Sequence, residues 1–391
     1  MSLGRRINSF LDDRFDMETG RALLDKQIHK RLPPNTGWLH VFASLALLLY
    51  ISQVLTGILL LIYYRPTPDE AHKSIQYITT EVHFGWLFRQ IHAWGASLMI
   101  LCLVVHMMRT YFSGAYKKPR ELTWVTGVIL FIMTITFGFT GYLLPWNQIA
   151  FWATTVGTES ANKVPIIGAW LQYFLRGGDA VTGETLSRFF VVHVIILPWA
   201  LAVLVGIHLF LMRLHNLATS ERVGEEKPIE EKHGIPFFPV HVAKEGVVAV
   251  LLLAVLVTLS VLAPWEIGPP ADPLATPAHI KPEWYFLPSY QLLKYFEGPY
   301  GAVVGIAACS VPFVLLLFWP FLDRGKERRF SKRPIAVSIA GFGLFAALAL
   351  GILGHFSSTD VALFGKQYHI DLMGWPHAIS DNADDPASPP H

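Results

Sequence analysis

The stretches RQIHAWGASLMILCLVVHMMR (residues 89–109) and FFVVHVIILPWALAVLVGIHLF (residues 189–210) are apolar, and each carries two histidines. His92 and His106 are fourteen residues apart, and His193 and His208 are fifteen apart. Four helical turns take about 14.4 residues, so each pair falls on one face of a helix, about 21 Å apart along its axis. If the helices pack antiparallel, each histidine faces a partner at its own depth. This predicts two bis-imidazole sites stacked across a membrane, the arrangement that holds two b-type haems.

A structural role for these histidines is the alternative interpretation. Histidine inside a membrane span is costly and usually has a specific function. A single one is more often a hydrogen-bonding core residue, but four in register favour metal ligation.

The composition is that of a polytopic membrane protein. Of 391 residues, 52% are hydrophobic and 15% are charged, and the net charge of +2 gives no indication of nucleic-acid binding. Cys102 and Cys309 both lie in apolar runs, and no C-x-x-C-H motif occurs, so we expect no covalent c-type haem. The chain also lacks a Cys-plus-His pattern for an iron–sulfur site.

Seven apolar stretches are long enough to cross about 30 Å of hydrocarbon; they lie near residues 39–63, 88–110, 122–143, 189–212, 246–263, 302–322 and 334–354. Basic residues follow the second, fourth and sixth stretches. The positive-inside rule then places the N-terminus in the cytoplasm and the C-terminus outside a bacterial inner membrane. His92 and His193 are therefore predicted near the outer face, and His106 and His208 near the inner face.

The predicted organisation has five parts. Residues 1–38 form an amphipathic surface helix, 39–212 a four-span dihaem domain, 213–245 a charged connector, 246–355 a three-span domain and 356–391 a polar tail whose last dozen residues we expect to be poorly ordered. The apolar piece 165–175 is too short to cross and predicts an interfacial helix hairpin. The fold class is thus an all-α polytopic membrane protein, a four-helix dihaem bundle plus three further transmembrane helices.

Small and cationic residues recur at the depths of the histidines. Gly127 and Gly141 are fourteen apart, and Ala43 and Gly57 repeat this spacing in the first span, where small residues would let a macrocycle approach. Close helix packing is the alternative reason for these small residues. Arg89, three residues before His92, and Arg109, three residues after His106, are candidate partners of haem propionates or simple interface anchors.

The segment KPEWYFLPSYQLLKYF (residues 281–296), between the fifth and sixth spans, is the second candidate site. Glu283 lies among aromatic residues, so burial should raise the pKa of its carboxyl and suit it to accept a proton from a bound hydroxyl. Tyr285 and Tyr142 offer hydroxyl groups. The alternatives are an aromatic belt at the membrane interface and a helix-capping role for Glu283.

The four histidines, the arginines beside them, GYLLPW (141–146), the 165–178 segment and Pro282–Tyr285 together resemble cytochrome b of the quinol–cytochrome c/plastocyanin oxidoreductases, the bc-type complexes. KKPRELTWVTG (117–127), VPIIG (164–168) and the fifteen-residue histidine interval are most similar to the chloroplast branch. There the protein is split into a four-span cytochrome and a three-span subunit IV. This chain resembles a fusion of the two over residues 1–355, with the connector as the join.

The resemblance implies a function and its sites. His92 with His193, and His106 with His208, would ligate two non-covalent b haems. Glu283 and Tyr285 would belong to the quinol-oxidation pocket at the outer face, with Tyr142 and the 165–178 segment forming its wall. Val41 stands where the chloroplast branch tethers an extra haem through cysteine, so no covalent haem is expected. Arg213, Lys244 and Glu245 would belong to the inner quinone site.

The implied partners are a Rieske-type iron–sulfur protein and a c-type cytochrome in a homodimeric, lipid-embedded complex, with quinone as substrate and no nucleic acid. Two rival functions stay open on the residues alone. One is a dihaem membrane anchor of a dehydrogenase or hydrogenase, and the other is a haem-free proton-coupled transporter. An absorption spectrum would separate the transporter from the haem proteins.

Overall fold

Seven helices long and apolar enough to cross a membrane dominate the structure, a computed structural model that describes residues 3–226, 233–277, 280–298, 300–363 and 366–379. The helices cover Trp38–Leu61, Gly85–Phe112, Glu121–Tyr142, Gly183–His215, Phe237–Leu262, Gly301–Leu322 and Pro334–Phe356. They turn large apolar side chains such as Trp199 and Phe342 outward, as a protein surrounded by lipid does. The predicted fold class and the number of spans are confirmed.

The helices follow one another along the chain as α1 (Leu3–Phe15), α2 (Met17–Ile28), α3 (Phe42–Leu61), α4 (Ala71–Thr80), α5 (Gly85–Phe112), α6 (Glu121–Tyr142), α7 (Gln148–Asn162), α8 (Gly168–Arg176), α9 (Gly183–Val191), α10 (Leu197–His215), α11 (Val242–Leu262), α12 (Leu287–Lys294), α13 (Gly301–Leu322) and α14 (Pro334–Phe356). A 3₁₀ turn at Trp38–Val41 leads into α3, and a second one covers Phe330–Lys332. A kinked turn at Phe237–His241, in which Phe238 has an extended backbone (φ −108°, ψ 135°), precedes α11.

The first four spans form a bundle in which α3 packs on α5 and α6 packs on α10. The two histidine-bearing helices, α5 and α10, therefore face each other across the bundle. Apolar side chains such as Leu45, Leu49 and Met99 close the α3–α5 interface. The later spans pack outside this bundle, α11 against α5 and α13 against α6.

The fourth span contains a π-helical turn, Val192–Ile196, which joins α9 to α10. The Leu197 N–H bonds to the Val192 carbonyl, five residues back instead of four. Pro198 follows immediately, and because proline has no N–H and its ring crowds the carbonyl four residues earlier, it disfavours a regular helix at this point. One extra residue is thus accommodated between His193 and His208.

Several bounds differ from the sequence-based expectation. The predicted surface helix is two helices, α1 and α2, separated at Asp16, which has a positive φ of 45°. The predicted 213–245 connector overlaps helices at both ends. The fourth span continues to His215, and the fifth starts at Phe237, so Lys244 and Glu245 lie within α11 and not before it. Apolar residues between 237 and 243 extend the fifth span at this end.

Two small sheets tie the ends of the chain to the bundle. Strand β1 (Arg31–Leu32) pairs antiparallel with β2 (Ile235–Pro236), which joins the N-terminal region to the start of the fifth span. Strands β3 (Thr359–Leu363), β4 (Lys366–Ile370) and β5 (Pro376–Ala378) form an antiparallel sheet after α14. This sheet was not expected from the sequence. The tail residues 380–391, expected to be poorly ordered, lie outside the described residues.

The segment after α14 is anchored to α12, the short helix that follows Glu283. Gln291 is fully buried and donates to the Met373 carbonyl, and Lys294 donates to the Ser357 hydroxyl at 2.8 Å. Lys281 also donates to the carbonyl of His355, at the end of α14. These bonds fix α12 against the last span and the sheet.

Candidate functional site

His92 and His193 face each other across the bundle at its predicted outer end. Their ring centres are 6.4 Å apart, and the ring planes are inclined by 71°. Two imidazoles that bind one metal ion through bonds of about 2 Å have ring centres roughly 6 Å apart. The separation therefore fits a single iron held between the two rings.

Glycines make room for both of these rings. A Cβ at Gly57 would stand 3.3 Å from Cε1 of His92, and one at Gly141 would stand 2.5 Å from Cε1 of His193. The second approach is too close for any side chain. The glycines predicted from spacing thus lie against the histidines, and the space they leave is filled by imidazole.

His106 and His208 line one cavity of about 440 Å³ at the opposite end of the bundle. Gly127 lies against His208, where a Cβ would stand 3.2 Å from Cε1. Ala43, the fourth small residue of the predicted set, also lines this cavity. The structure therefore places the four histidines in two pairs at two depths, as the spacing predicts.

The two arginines near the histidines contact different groups. Arg89 donates to the carbonyls of Trp265 and Glu266, at 2.9 and 3.2 Å, in the loop after α11. Arg109 contacts Nε2 of His40 and lines the cavity of His106 and His208. Arg89 is thus held by backbone carbonyls, whereas Arg109 lies beside an imidazole in the cavity of the inner pair.

The predicted inner-site residues are only partly brought together. Arg213 and Glu245 line the same cavity as His106, whereas the Lys244 ammonium lies 5.5 Å from the centre of the Trp38 ring. The cavity wall also contains polar residues that the sequence analysis did not select: Lys30, His40, Arg120 and His241. His241 pairs with Glu245 at 3.3 Å, one helical turn apart, and this i,i+4 spacing is the signal that could have identified it.

Glu283 is half-buried in the loop between α11 and α12. Burial raises the pKa of its carboxyl to about 7, although the neighbouring Tyr142 hydroxyl works in the opposite direction. Glu283 and Tyr142, both chosen from the sequence, therefore lie near each other. A carboxyl with a pKa near neutrality can take up and release protons at physiological pH.

The predicted alternative role of Glu283 as a helix cap receives no support from the geometry. Helix α12 begins without a hydrogen bond from a capping side chain. The backbone carbonyl of Glu283 accepts from the Phe286 N–H at 2.8 Å, which closes a turn before the helix. The carboxyl remains available to a ligand.

The residues after Glu283 pack into the bundle. Tyr285 reaches Gly138 on α6, where a Cβ would stand 2.5 Å from its hydroxyl oxygen, so only glycine fits there. Burial and then the charge of Glu283 raise the pKa of Tyr285. Trp284 donates to the Ser97 hydroxyl on α5 at 3.4 Å. Gly138 was not selected from the sequence, because its depth does not match a histidine.

A second cavity, of about 490 Å³, lies between α7, α12 and α13. Its walls include Trp152 and Thr155 from α7, Leu293 and Phe296 from the α12 region, and Ile280, three residues before Glu283. Helix α8 packs on α7, so the predicted interfacial hairpin is present and forms one side of this region. The mainly apolar walls suit a hydrophobic ring or chain.

The donor set fits haem better than a bare metal ion. In the described part of the chain, no group of three or more His, Cys, Asp or Glu side chains could hold a metal by protein ligands alone. Paired imidazoles flanked by glycines instead match the axial ligands of a porphyrin iron. The two cysteines, Cys102 and Cys309, are both free thiols.

Comparison with known proteins agrees with this geometry. Residues 27–216 match the family described as cytochrome b/b6/petB, and residues 270–370 match cytochrome b(C-terminal)/b6/petD. The cytochrome bc complex cytochrome b subunit of Chlorobaculum thiosulfatiphilum is 42% identical over 88% of this chain and 81% of its own length. Cytochrome b6 of Acaryochloris marina is 40% identical over 54% of this chain and 98% of its own.

A solved structure described as hyperthermophilic respiratory complex III has a chain with the same fold. It superposes with a TM-score of 0.80 at 34% identity, covering 90% of this chain and 92% of the other. The two family matches lie in one polypeptide, as the resemblance to a fused chloroplast-type cytochrome implies.

Proposed function

Since the chain belongs to the cytochrome b/b6 family and is the cytochrome b subunit of a bc-type complex, we propose that it oxidises quinol at an outer site and reduces quinone at an inner site, with two b haems between them. The observation that carries the proposal is the pairing of four histidines at two depths, with ring centres 6.4 Å apart in the outer pair. Proton release outside and proton uptake inside would couple this reaction to proton translocation.

In this proposal His92 and His193 hold the outer haem, and His106 and His208 hold the inner one. Haem bound at these positions supplies reversible one-electron chemistry, which the protein directs by ligation and by excluding other acceptors. Gly57, Gly127 and Gly141 let the imidazoles lie close to the neighbouring helices. Arg89 and Arg109 would pair with propionates, Arg89 after leaving the carbonyls of the loop after α11 and Arg109 after turning from His40.

Glu283 would accept a proton when quinol binds at the outer site. Because its pKa is about 7, the carboxyl is partly ionised at neutral pH and can both accept and release a proton. Tyr142 would orient the carboxylate, and Tyr285 would hold the loop against α6 through its contact with Gly138. The cavity between α7 and α12 is the space in which we place the hydrophobic substrate.

At the inner site, Arg213 and Glu245 would face the quinone, and Lys244, which lies over Trp38, would act from further away. Because Val41 is not a cysteine, we expect no covalent haem there. The subunit would work with a Rieske-type iron–sulfur protein and a c-type cytochrome in a homodimeric complex of a bacterial inner membrane. In the same proposal, the connector divides the chain into two domains. The N-terminus lies in the cytoplasm and the C-terminus lies outside.

The reduced-minus-oxidised spectrum of the purified complex tests the two haem sites. We expect two b-type components in the wild type, loss of one component in His193→Leu and loss of the other in His208→Leu. His83→Leu, at an exposed loop position, is the matched control and should keep both. A stably inserted His193→Leu protein with both components would overturn the axial assignment, and a wild type with none would favour the haem-free transporter.

A further inference from the structure

We propose that Thr56, Thr126 and Thr140 are positioning residues for three of the four histidine ligands. Each hydroxyl accepts a hydrogen bond from the Nδ1–H of one imidazole, which fixes the tautomer that leaves Nε2 free to bind iron. The inference rests on the proposed haem function and adds residues that neither spacing nor family matching selects.

The distances define three such contacts. Thr56 Oγ1 lies 2.9 Å from Nδ1 of His92, and Thr126 Oγ1 lies 3.0 Å from Nδ1 of His208. Thr140 Oγ1 lies 3.2 Å from Nδ1 of His193. All three are within the range of an ordinary hydrogen bond.

The direction of these bonds follows from the single proton of each hydroxyl. Thr56 donates to the Ser52 carbonyl at 2.7 Å, and Thr126 donates to the Leu122 carbonyl at 2.9 Å. Thr140 donates likewise to Thr136, at 3.0 Å. Because a hydroxyl has one donor and two acceptor positions, the remaining contact to the ring must be one that it accepts.

The same assignment holds at all three rings. With each hydroxyl proton engaged by a backbone carbonyl, Nδ1 of the ring is the donor, and Nε2 keeps a free lone pair.

The three threonines form a repeated unit with the three glycines. Each threonine directly precedes the glycine that lies against the same histidine, as Thr56–Gly57, Thr126–Gly127 and Thr140–Gly141. One residue thus makes room for the ring and its neighbour orients it. The sequence shows this pattern, since all three glycines chosen for spacing follow threonine.

The fourth histidine lacks the unit. Fourteen residues before Thr56–Gly57 the chain has Phe42–Ala43, which provides no hydroxyl. Nδ1 of His106 is buried and has no hydrogen-bond partner among the described residues. The outer pair is therefore oriented at both rings, and the inner pair at His208 only.

These hydrogen bonds have an electronic consequence. A histidine that donates from Nδ1 is a more basic ligand, because the bond increases electron density on the ring. A more basic ligand stabilises the oxidised iron and lowers the reduction potential. Losing one of these bonds should therefore raise the reduction potential of the haem that the histidine would ligate.

Two substitutions separate the hydroxyl from the methyl group of Thr126. Thr126→Val removes the hydroxyl and keeps the shape, whereas Thr126→Ser keeps the hydroxyl and removes a methyl. We expect Val to raise the midpoint potential of the inner haem and change its low-spin electron paramagnetic resonance signal, and Ser to resemble the wild type. Thr136→Val, on the same helix but bonded within it, should change neither haem.

An unchanged potential and signal in a haem-containing Thr126→Val complex would overturn the proposal. Equal haem loss in the Val and Ser variants would also overturn it, since packing would then explain the site. Haem loss in Val alone would support the orienting role. The wild-type spectrum tests the proposed function separately, because missing b-type bands there would contradict both proposals at once.

Discussion

At the scale of single residues, Glu283 combines two properties that a proton acceptor at a quinol site needs. Burial brings its pKa to about 7, and the Tyr142 hydroxyl lies close enough to offset part of this rise. The absence of a side-chain cap on α12 leaves its oxygens free for a substrate. Because the helix that follows is anchored through Gln291 and Lys294, the position of this carboxyl is set by the last span as well as by its own loop.

Replacing Glu283 with glutamine should slow quinol oxidation by roughly ten- to a thousandfold, in line with general-base contributions of about 10²–10⁴ when water substitutes in part. In the wild type, the rate should rise with pH through about 7, because only the deprotonated carboxyl accepts a proton. The variant should lose this limb of the profile. Steady-state turnover across pH measures both effects.

Haem content should stay normal in Glu283→Gln, and Glu297→Gln, an exposed carboxyl after α12, is the matched control. Wild-type turnover with an unchanged pH profile in Glu283→Gln would show that this residue is not the proton acceptor.

At the scale of elements, a helix could be predicted from the sequence where its apolar composition and the helical spacing of its residues both indicate the same structure. The spans follow from long apolar runs, and the histidine faces follow from helical periodicity. The π-helical turn could not be predicted, because its only sign is one extra residue beside Pro198, which equally marks a kink. The sheet after α14 was missed because its strands are three to five residues long. Lys244 was expected to lie before the fifth span, which the apolar run places at 246–263. It lies within α11, because this helix begins at Val242.

The π-helical turn explains how unequal histidine intervals produce equal depths. Fourteen residues of regular helix separate His92 from His106, whereas His193 and His208 have one residue more and one wider turn. Insertion of one residue in a π turn leaves the following helix in register. The π-helical turn therefore absorbs the fifteenth residue, and His193 and His208 are as far apart along the helix axis as two residues fourteen positions apart in a regular helix.

Deleting Ile195 should therefore remove the turn and retain both haems, because a regular helix with a fourteen-residue interval repeats the geometry of α5. Deleting Leu101 from α5 is the control. Both side chains are exposed to the surroundings of the bundle, but α5 has no spare residue, and a thirteen-residue interval rotates one histidine by about 100°. Haem content per complex measures the difference. Equal loss in both deletions would contradict this account.

At the scale of the whole molecule, the two family matches are joined by a buried polar junction as well as by the connector. The Lys117 ammonium lies 2.7 Å from Asp323, and Arg333 donates to the Tyr111 carbonyl at 2.9 Å. Hydrogen bonds from Lys117 and Tyr116 outweigh the effect of burial and hold the pKa of Asp323 below its ordinary value. Lys117 and Arg333, two of the basic residues from which the membrane orientation was predicted, thus form contacts between the two halves.

Arg328 is the most buried member of this junction. Its side chain is fully buried, pairs with Glu226 at 2.7 Å and donates to the Lys118 carbonyl at 3.0 Å. Gly114 approaches its backbone so closely that a Cβ would stand 2.9 Å from the Arg328 Cα. With φ at +61°, position 114 also favours glycine by conformation. Both halves contribute to this fit, so their association need not depend on a covalent link.

Residues 1–230 and 231–391, produced as two polypeptides in one cell, should therefore assemble and retain both haems. Arg328→Met should weaken that assembly roughly a hundred- to several-thousandfold, because breaking a buried pair costs about 3–5 kcal/mol and about 1.4 kcal/mol is a factor of ten. The same substitution in the unbroken chain should leave haem content nearly normal, since the connector keeps the halves at high effective concentration. Co-purification through a tag on one half measures the association. Wild-type halves that fail to co-purify would show that the connector, and not the junction, holds the molecule together.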